Sequence, residues 1–222
     1  MNNRMVEVSK LDLYPTRLMG FRYNQYKKMN MKIVKYLLKK RDEEPDNQSY
    51  SIGGDGWHSN YNLTDLDYDW SRELKEMILQ VVADYSHEQC EILPNFKLET
   101  WAMVIPSGAY SNLHSHPGWY MSGVYYVKVP EELEKTALES GHGSISFPDT
   151  RANACGTMHE AATFKIAPRE GEGAVFPSWM PHYVTPYQGS PNDLRISISW
   201  NIIFDSRMEG GDIIAGQKTL NN

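Results

Sequence analysis

Three histidines and one arginine are the residues of this chain best suited to chemistry. His114 and His116 stand one residue apart in NLHSHPGWYMSGVYYV, and His182 follows in GEGAVFPSWMPHYV. In an extended segment side chains alternate with period two, so positions 114 and 116 project to one side and both imidazoles can reach a single ion. Imidazole suits iron, zinc, copper or nickel. An HxH pair is a short motif, and two surface histidines near a turn have the same spacing. His182 opens a predicted strand after the Gly-bounded apolar segment Gly173–Phe176 and a Pro-flanked turn. Arg195 lies in RISISWN, where Arg195, Ser197 and Ser199 alternate with Ile196, Ile198 and Trp200. One face of that strand is polar and carries a full charge, and the other is apolar. A buried arginine needs an anionic partner, and a guanidinium beside a hydroxyl matches a carboxylate, whose two oxygens fit the arginine fork. An exposed sheet face or a carboxylate of the protein would also accommodate it.

The elements that must position these residues fall into two textures. Residues 6–13 alternate loosely and predict a strand ending at Pro15. From Asn24 to Arg41, Met29, Ile33, Val34, Leu37 and Leu38 fall at helical spacing. A polar stretch containing Pro45, Asn47, Gln48, Gly53, Gly54 and Gly56 predicts a loop. Trp70, Leu74, Met77, Ile78, Val81, Val82 and Tyr85 mark one face of a second helix, with Asp67 or Asp69 as N-cap. After Pro94 the segments Phe96–Ile105, Met121–Val129, Gly143–Phe147, Thr163–Ile166, Gly173–Phe176, His182–Thr185 and Leu194–Phe204 are short and rich in β-branched and aromatic residues. Gly, Pro or Asn punctuate most of the gaps, which predicts a β-sandwich or barrel. The length of 222 residues suits a single domain. Its expected parts are a helical N-terminal layer with a first strand (1–92), a β core (93–204) and a polar tail (205–222).

The ordered set HxH, SGVYYV, FPDTR, FPSWMPH and RISISWN resembles the 2-oxoglutarate–Fe(II) oxygenases. It resembles most a branch reading H-x-H-P-x-x-x-x-S-G-V-Y-Y. The resemblance spans roughly residues 98–204, and the WHS at 57–59 is a candidate extension. It implies a double-stranded β-helix, a jelly-roll of cupin-like shape, with N-terminal helices. It implies further that the chain is a dioxygenase using Fe(II) and the co-substrate 2-oxoglutarate to hydroxylate a small molecule or a protein side chain. His114 and His182 match the family's metal-binding histidines. Arg195 and Ser197 match the pair that holds the far carboxylate of 2-oxoglutarate, and Tyr126 matches a tyrosine that shares it. One position departs from the wider pattern, which is His-x-Asp or His-x-Glu: here the carboxylate place is His116. Either three histidines hold the metal, with one negative charge fewer at the site, or His116 stands outside it and a carboxylate comes from elsewhere, Asp149 being nearest. The expected metal set is His114, His116 and His182.

Trp119 and Trp179 sit in predicted turns beside these ligands and are candidates for the wall of a substrate pocket. Trp101 and Tyr120 flank the ligands too, with core packing an equal role for Trp101. His58, His87, His142 and His159 have no partner at ligand spacing and are expected on loops or at a helix end. No serine or cysteine stands in a nucleophile context.

Composition limits the partners. A formal charge of −6 argues against nucleic acid, whose binding rests on Lys and Arg, and the one basic run, Lys35 to Arg41, has the pattern of a solvated helix end. Cys90 and Cys155 are too few for a disulfide framework, consistent with a reducing cytoplasm. No apolar stretch approaches membrane-spanning length. Two rival functions share the predicted fold: a cupin-like three-histidine metalloenzyme without 2-oxoglutarate, and a non-catalytic module binding metal or carboxylate.

Overall fold

The computed structural model describes residues 14–47, 49, 51–88, 96–151, 163–190 and 192–204. In chain order these form β1 (Met19–Arg22), α1 (Tyr26–Glu43), β2 (Ile52–Gly53), β3 (Trp57–His58), a 3-10 turn (Leu63–Asp65) and α2 (Asp69–Glu88). There follow β4 (Phe96–Pro106), β5 (Tyr110–His114), β6 (Met121–Lys128), α3 (Glu131–Ser140), β7 (Ile145–Pro148), β8 (Thr163–Ile166), β9 (Glu172–Pro177), β10 (His182–Val184) and β11 (Leu194–Phe204). The predicted strand at 6–13, Cys90, Cys155, His159 and the tail from 205 lie outside the described residues.

Two antiparallel sheets carry the site. The larger runs β1-β9-β6-β11-β4-β3 and the smaller β2-β5-β10-β7-β8. Strand β11 is the spine of the larger sheet, paired with β4 along its whole length and with β6 on its other side. Its period-two pattern separates two cores. Ile196, Ile198, Trp200 and Ile202 join the core shared with the helices, together with Met29, Ile33 and Leu37 of α1 and Leu74, Ile78 and Val82 of α2. Trp101, Met103, Val124, Tyr126, Ala174 and Phe176 face the other way, against Ile145, Phe147 and Val184 of the smaller sheet. Arg195, Ser197, Ser199 and Asn201 alternate with the isoleucines and so share that inter-sheet face. Two packed antiparallel sheets behind N-terminal helices are the β-sandwich that the sequence pattern predicts, and a mainly-β jelly-roll of this kind is what the family resemblance implies.

The helices differ from expectation at their ends. The α1 helix ends two residues beyond the expected Arg41 because its polar last turn is laced by ion pairs, Lys39 to Glu43 and Lys40 to Glu43 and Glu44. In α2, Asp69 is the first helical residue, not the residue before it. Its carboxylate accepts from the Trp70 N–H at 2.8 Å and pairs with Lys32, while Asp67 binds Arg72 at 2.9 Å. The α3 helix escapes a periodicity search because only Leu133 and Ala137 are buried along its ten residues. It is held instead by three glutamates in its first turn and by Gly141, left-handed at φ 70°, whose N–H closes on Ala137. The loop expected around residues 45–56 contains β2, and β3 follows it directly.

Candidate metal and carboxylate site

His114 ends β5, His182 begins β10, and the two strands pair with these residues in direct register. Their rings approach to 4.4 Å between centroids. His116 is not on the strand. It lies in the turn that follows, pinned because its N–H donates to the Ser178 carbonyl at 2.9 Å and its own carbonyl accepts from Trp119. The turn nevertheless returns the ring to 5.1 Å from His114 and 5.2 Å from His182. One nitrogen from each ring lies within 4.8 Å of the others, a grouping able to hold a metal ion.

The environment keeps these rings neutral. Burial pushes the His116 imidazole down to about 4, helped by neighbouring His114, and pushes His182 down to about 3. Burial lowers His114 too, against an opposing hydrogen bond. Lone pairs are therefore free at neutral pH, as metal binding requires. His114 Nδ1 lies 2.6 Å from the Asn112 carbonyl, and His182 Nδ1 lies 2.9 Å from that of Met180. A carbonyl only accepts, so each Nδ1 carries the proton and each Nε2 keeps its lone pair for a cation.

The three histidines open on a cavity of about 240 Å³ between the sheets, with Arg195 in its wall. Arg195 is 1% exposed, and Nε, Nη1 and Nη2 all lack a hydrogen-bond partner. Its guanidinium carbon stands 5.0 Å from the centre of the Tyr126 ring, and Tyr126 is paired in register with Ser197. The hydroxyls of Tyr126 and Ser197 are also buried and unpartnered. Desolvation raises the Tyr126 phenol, against the pull of the Arg195 charge, so it stays protonated. A cation and two hydroxyls are thus enclosed together, with no carboxylate among the described residues to answer them. These donors suit the carboxylate of a small anion, and the histidines suit a divalent metal.

Asp149 does not join this cluster. It is ion-paired with Arg151 at 2.6 Å, which holds its carboxyl down to about 2. Trp119 lines the cavity, whereas Trp179 is 56% exposed and stands outside its wall. Trp101 and His58 also line it. His58 is the residue the spacing argument missed. Expected on a loop, it is buried on β3 and stacks on Trp101 at 5.9 Å and 17°. His87 and His142 are exposed, as expected. Asn201 and Ser122 complete the wall near His116. The alternation from Arg195 through Ser199 extends to Asn201 and is the signal that could have found it.

Residues 99–201 match the family model described as "Putative 2OG-Fe(II) oxygenase". Among solved structures, the chain is similar to a prolyl-4-hydroxylase from Pseudomonas putida (TM-score 0.61, 15% identity, 86% of this chain and 94% of that one). It is also similar to HygX from Streptomyces hygroscopicus with nickel and 2-oxoglutarate bound (0.56, 9%, 86% and 84%). A third likeness is to the non-heme alpha ketoglutarate dependent carbocyclase SnoK (0.60, 9%, 85% and 80%). At such identities these structures speak for the fold. No curated protein sequence matches the chain. The matched family comprises enzymes whose metal is Fe(II) and whose co-substrate is 2-oxoglutarate, and the match spans the segments that carry the three histidines and Arg195. Among the described residues no helix is long and apolar enough to cross a membrane.

Proposed function

We propose that this chain is an Fe(II)- and 2-oxoglutarate-dependent hydroxylase in which His114, His116 and His182 hold the iron, and Arg195, Ser197 and Tyr126 hold the far carboxylate of 2-oxoglutarate. The observation that carries the reading is the Arg195 guanidinium, fully enclosed in the wall of the histidine cavity with no counter-charge among the described residues. An isolated buried charge is costly unless it is paired, and a dianionic co-substrate reaching in from the metal supplies the pair. A cupin-like site without 2-oxoglutarate leaves that charge unanswered.

The bound iron and co-substrate supply activation of O2, one oxygen atom entering a C–H bond while 2-oxoglutarate becomes succinate and CO2. The chain's own residues do the rest. Three neutral histidines leave the metal's full double charge for the co-substrate to neutralise. The Nδ1–H bonds of His114 and His182 to carbonyls fix which nitrogen faces the ion. Arg195 fixes the length and direction of the co-substrate along the inter-sheet face. Phe147 and Phe176, packed on His182, keep that wall apolar and exclude water. A small molecule or a protein side chain would enter past Trp119 and meet the stacked faces of Trp101 and His58. Among the described residues lining the cavity, Arg195 is the one arginine or lysine and Glu99 the one carboxylate. A neutral or cationic group on the prime substrate therefore fits better than a second anion.

Anaerobic titration of the Fe(II)-loaded protein with 2-oxoglutarate tests this assignment. A weak visible charge-transfer band is expected, abolished in His182→Ala and in Arg195→Ala at the same co-substrate concentration. Iron bound with no such band in the wild type would overturn the reading.

A further inference from the structure

His116 is held differently from its two neighbours. His114 and His182 each give a proton to a backbone carbonyl, which has no alternative role. The Nδ1 atom of His116 meets a side-chain amide instead, Asn201 Nδ2, at 3.3 Å. The same amide accepts through Oδ1 from the Ser122 hydroxyl at 2.7 Å. Both residues are nearly enclosed, Asn201 at 4% and Ser122 at 2% exposure, and they face each other across β11 and β6 in direct register.

An amide has one donating and one accepting end. With Nδ2–H directed at Nδ1, a neutral His116 carries its proton on Nε2, and that nitrogen has no lone pair to offer a cation. Half a turn of the amide exchanges its ends. Oδ1 then accepts from Nδ1–H, Nε2 gains the lone pair, and the Ser122 hydroxyl, able to donate or to accept, takes the Nδ2–H. Both hydrogen bonds survive and no charge is buried or released. An aspartate at 201 could only accept, and a leucine could do neither.

We propose that Asn201 is the positioning residue of the third metal ligand. It stabilises the Nε2–H form of His116 without metal and the Nδ1–H form with metal, and Ser122 is the hydroxyl that makes the exchange reversible. The proposal rests on the assignment of the three histidines to the metal, and it concerns the one position where this chain departs from the wider family pattern.

The test uses the full chain with nitrogen-15 histidine, metal-free and loaded with Zn(II) as a diamagnetic probe. Long-range proton–nitrogen NMR spectra read which ring nitrogen of His116 carries the proton, and competition titration reads zinc affinity. The wild type is expected to move its His116 proton from Nε2 to Nδ1 on zinc binding. Asn201→Leu should weaken zinc by about 10- to 100-fold, the usual effect of removing a partner that orients a ligand. Asn201→Asp should hold Nδ1–H in both states and bind zinc within a few-fold of the wild type. Thermal melts of the metal-free variants identify any that fail to fold, and Ser122→Ala, which leaves the amide in place, then serves as second probe: it should slow or bias the exchange without removing it. Wild-type zinc affinity and unchanged His116 signals in Asn201→Leu would overturn the proposal. A loss in Asn201→Asp as large as in Asn201→Leu would also overturn it. Failure of the three-histidine assignment is seen separately, as zinc binding that His182→Ala leaves intact. The metal-free tautomer of His116, compared between wild type and Asn201→Leu, reads the contact itself in either case.

Discussion

Arg195 carries a full charge into the interior and meets no counter-charge among the described residues, which sets two opposed expectations for its replacement. Desolvation of such an ion costs several kcal/mol after relaxation. Arg195→Met keeps much of the volume and removes the charge, so the ligand-free protein should melt at the same temperature or higher. The stabilisation conferred by 2-oxoglutarate should vanish with it. For a ligand at a hundred times its Kd that stabilisation is about 2.7 kcal/mol. Thermal denaturation of metal-loaded protein, with and without 2-oxoglutarate, checks both halves. A variant that melts far lower without ligand, or that is still stabilised by 2-oxoglutarate, would show that the guanidinium is answered elsewhere. At this scale His114, His116, His182 and Arg195 were singled out by type and spacing, and the structure brings all four to one cavity. What spacing did not reveal was His58, which looks like any loop histidine until β3 buries it against Trp101.

At the scale of elements, the close pairing of β6 with β11 sets the position of the site. Gly123 on β6 stands opposite Trp200 on β11. A Cβ at Gly123 would lie 2.2 Å from two carbon atoms of the Trp200 ring, and that ring is fully buried among the helices. Gly123→Ala should therefore cost about 1–3 kcal/mol, the usual range for overpacking a filled core. Because β11 carries Arg195 and Asn201 on its other face, 2-oxoglutarate affinity should fall in the same variant. Urea denaturation and co-substrate titration read the two effects, and a variant as stable as the wild type would mean that the strands separate without cost. The long strands and both long helices were legible from periodicity. Strands β1, β2 and β3 were not, because four or two residues give no period to read, and their pairing with distant segments creates them. The α3 helix was missed for a related reason, its buried stripe amounting to two residues.

Over the whole molecule, the buried histidine cluster makes folding depend on pH. In the unfolded chain the imidazoles titrate near 6.5, whereas burial holds His116 down to about 4 and His182 down to about 3 in the fold. Above pH 6.5 neither state holds the extra protons and this contribution is fully retained. As pH falls from there toward 4, the unfolded chain takes up protons that the fold refuses, so stability declines with falling pH through that window. The metal-free wild type should thus lose stability between neutral and mildly acid solution. His116→Gln with His182→Gln should flatten that decline, as read from urea midpoints at several pH values. An unchanged slope would assign the protons to other groups. Metal affinity should weaken over the same range in the wild type, because protons and the ion compete for the same lone pairs.

The sequence by itself determined the β texture, the helical layer before it, the three histidines and the arginine, because local periodicity and residue chemistry act over a few neighbouring positions. Tertiary structure alone decided that a turn residue, His116, joins two strand residues, since ring position there depends on the Ser178 carbonyl and on Asn201, 62 and 85 residues away. It also decided that Asp149 is spent on Arg151 and that the Arg195 guanidinium has no hydrogen-bond partner among the described residues. Both are questions of which distant groups are brought within hydrogen-bond reach. Spacing along the chain cannot answer them, because packing of one sheet on another sets those distances.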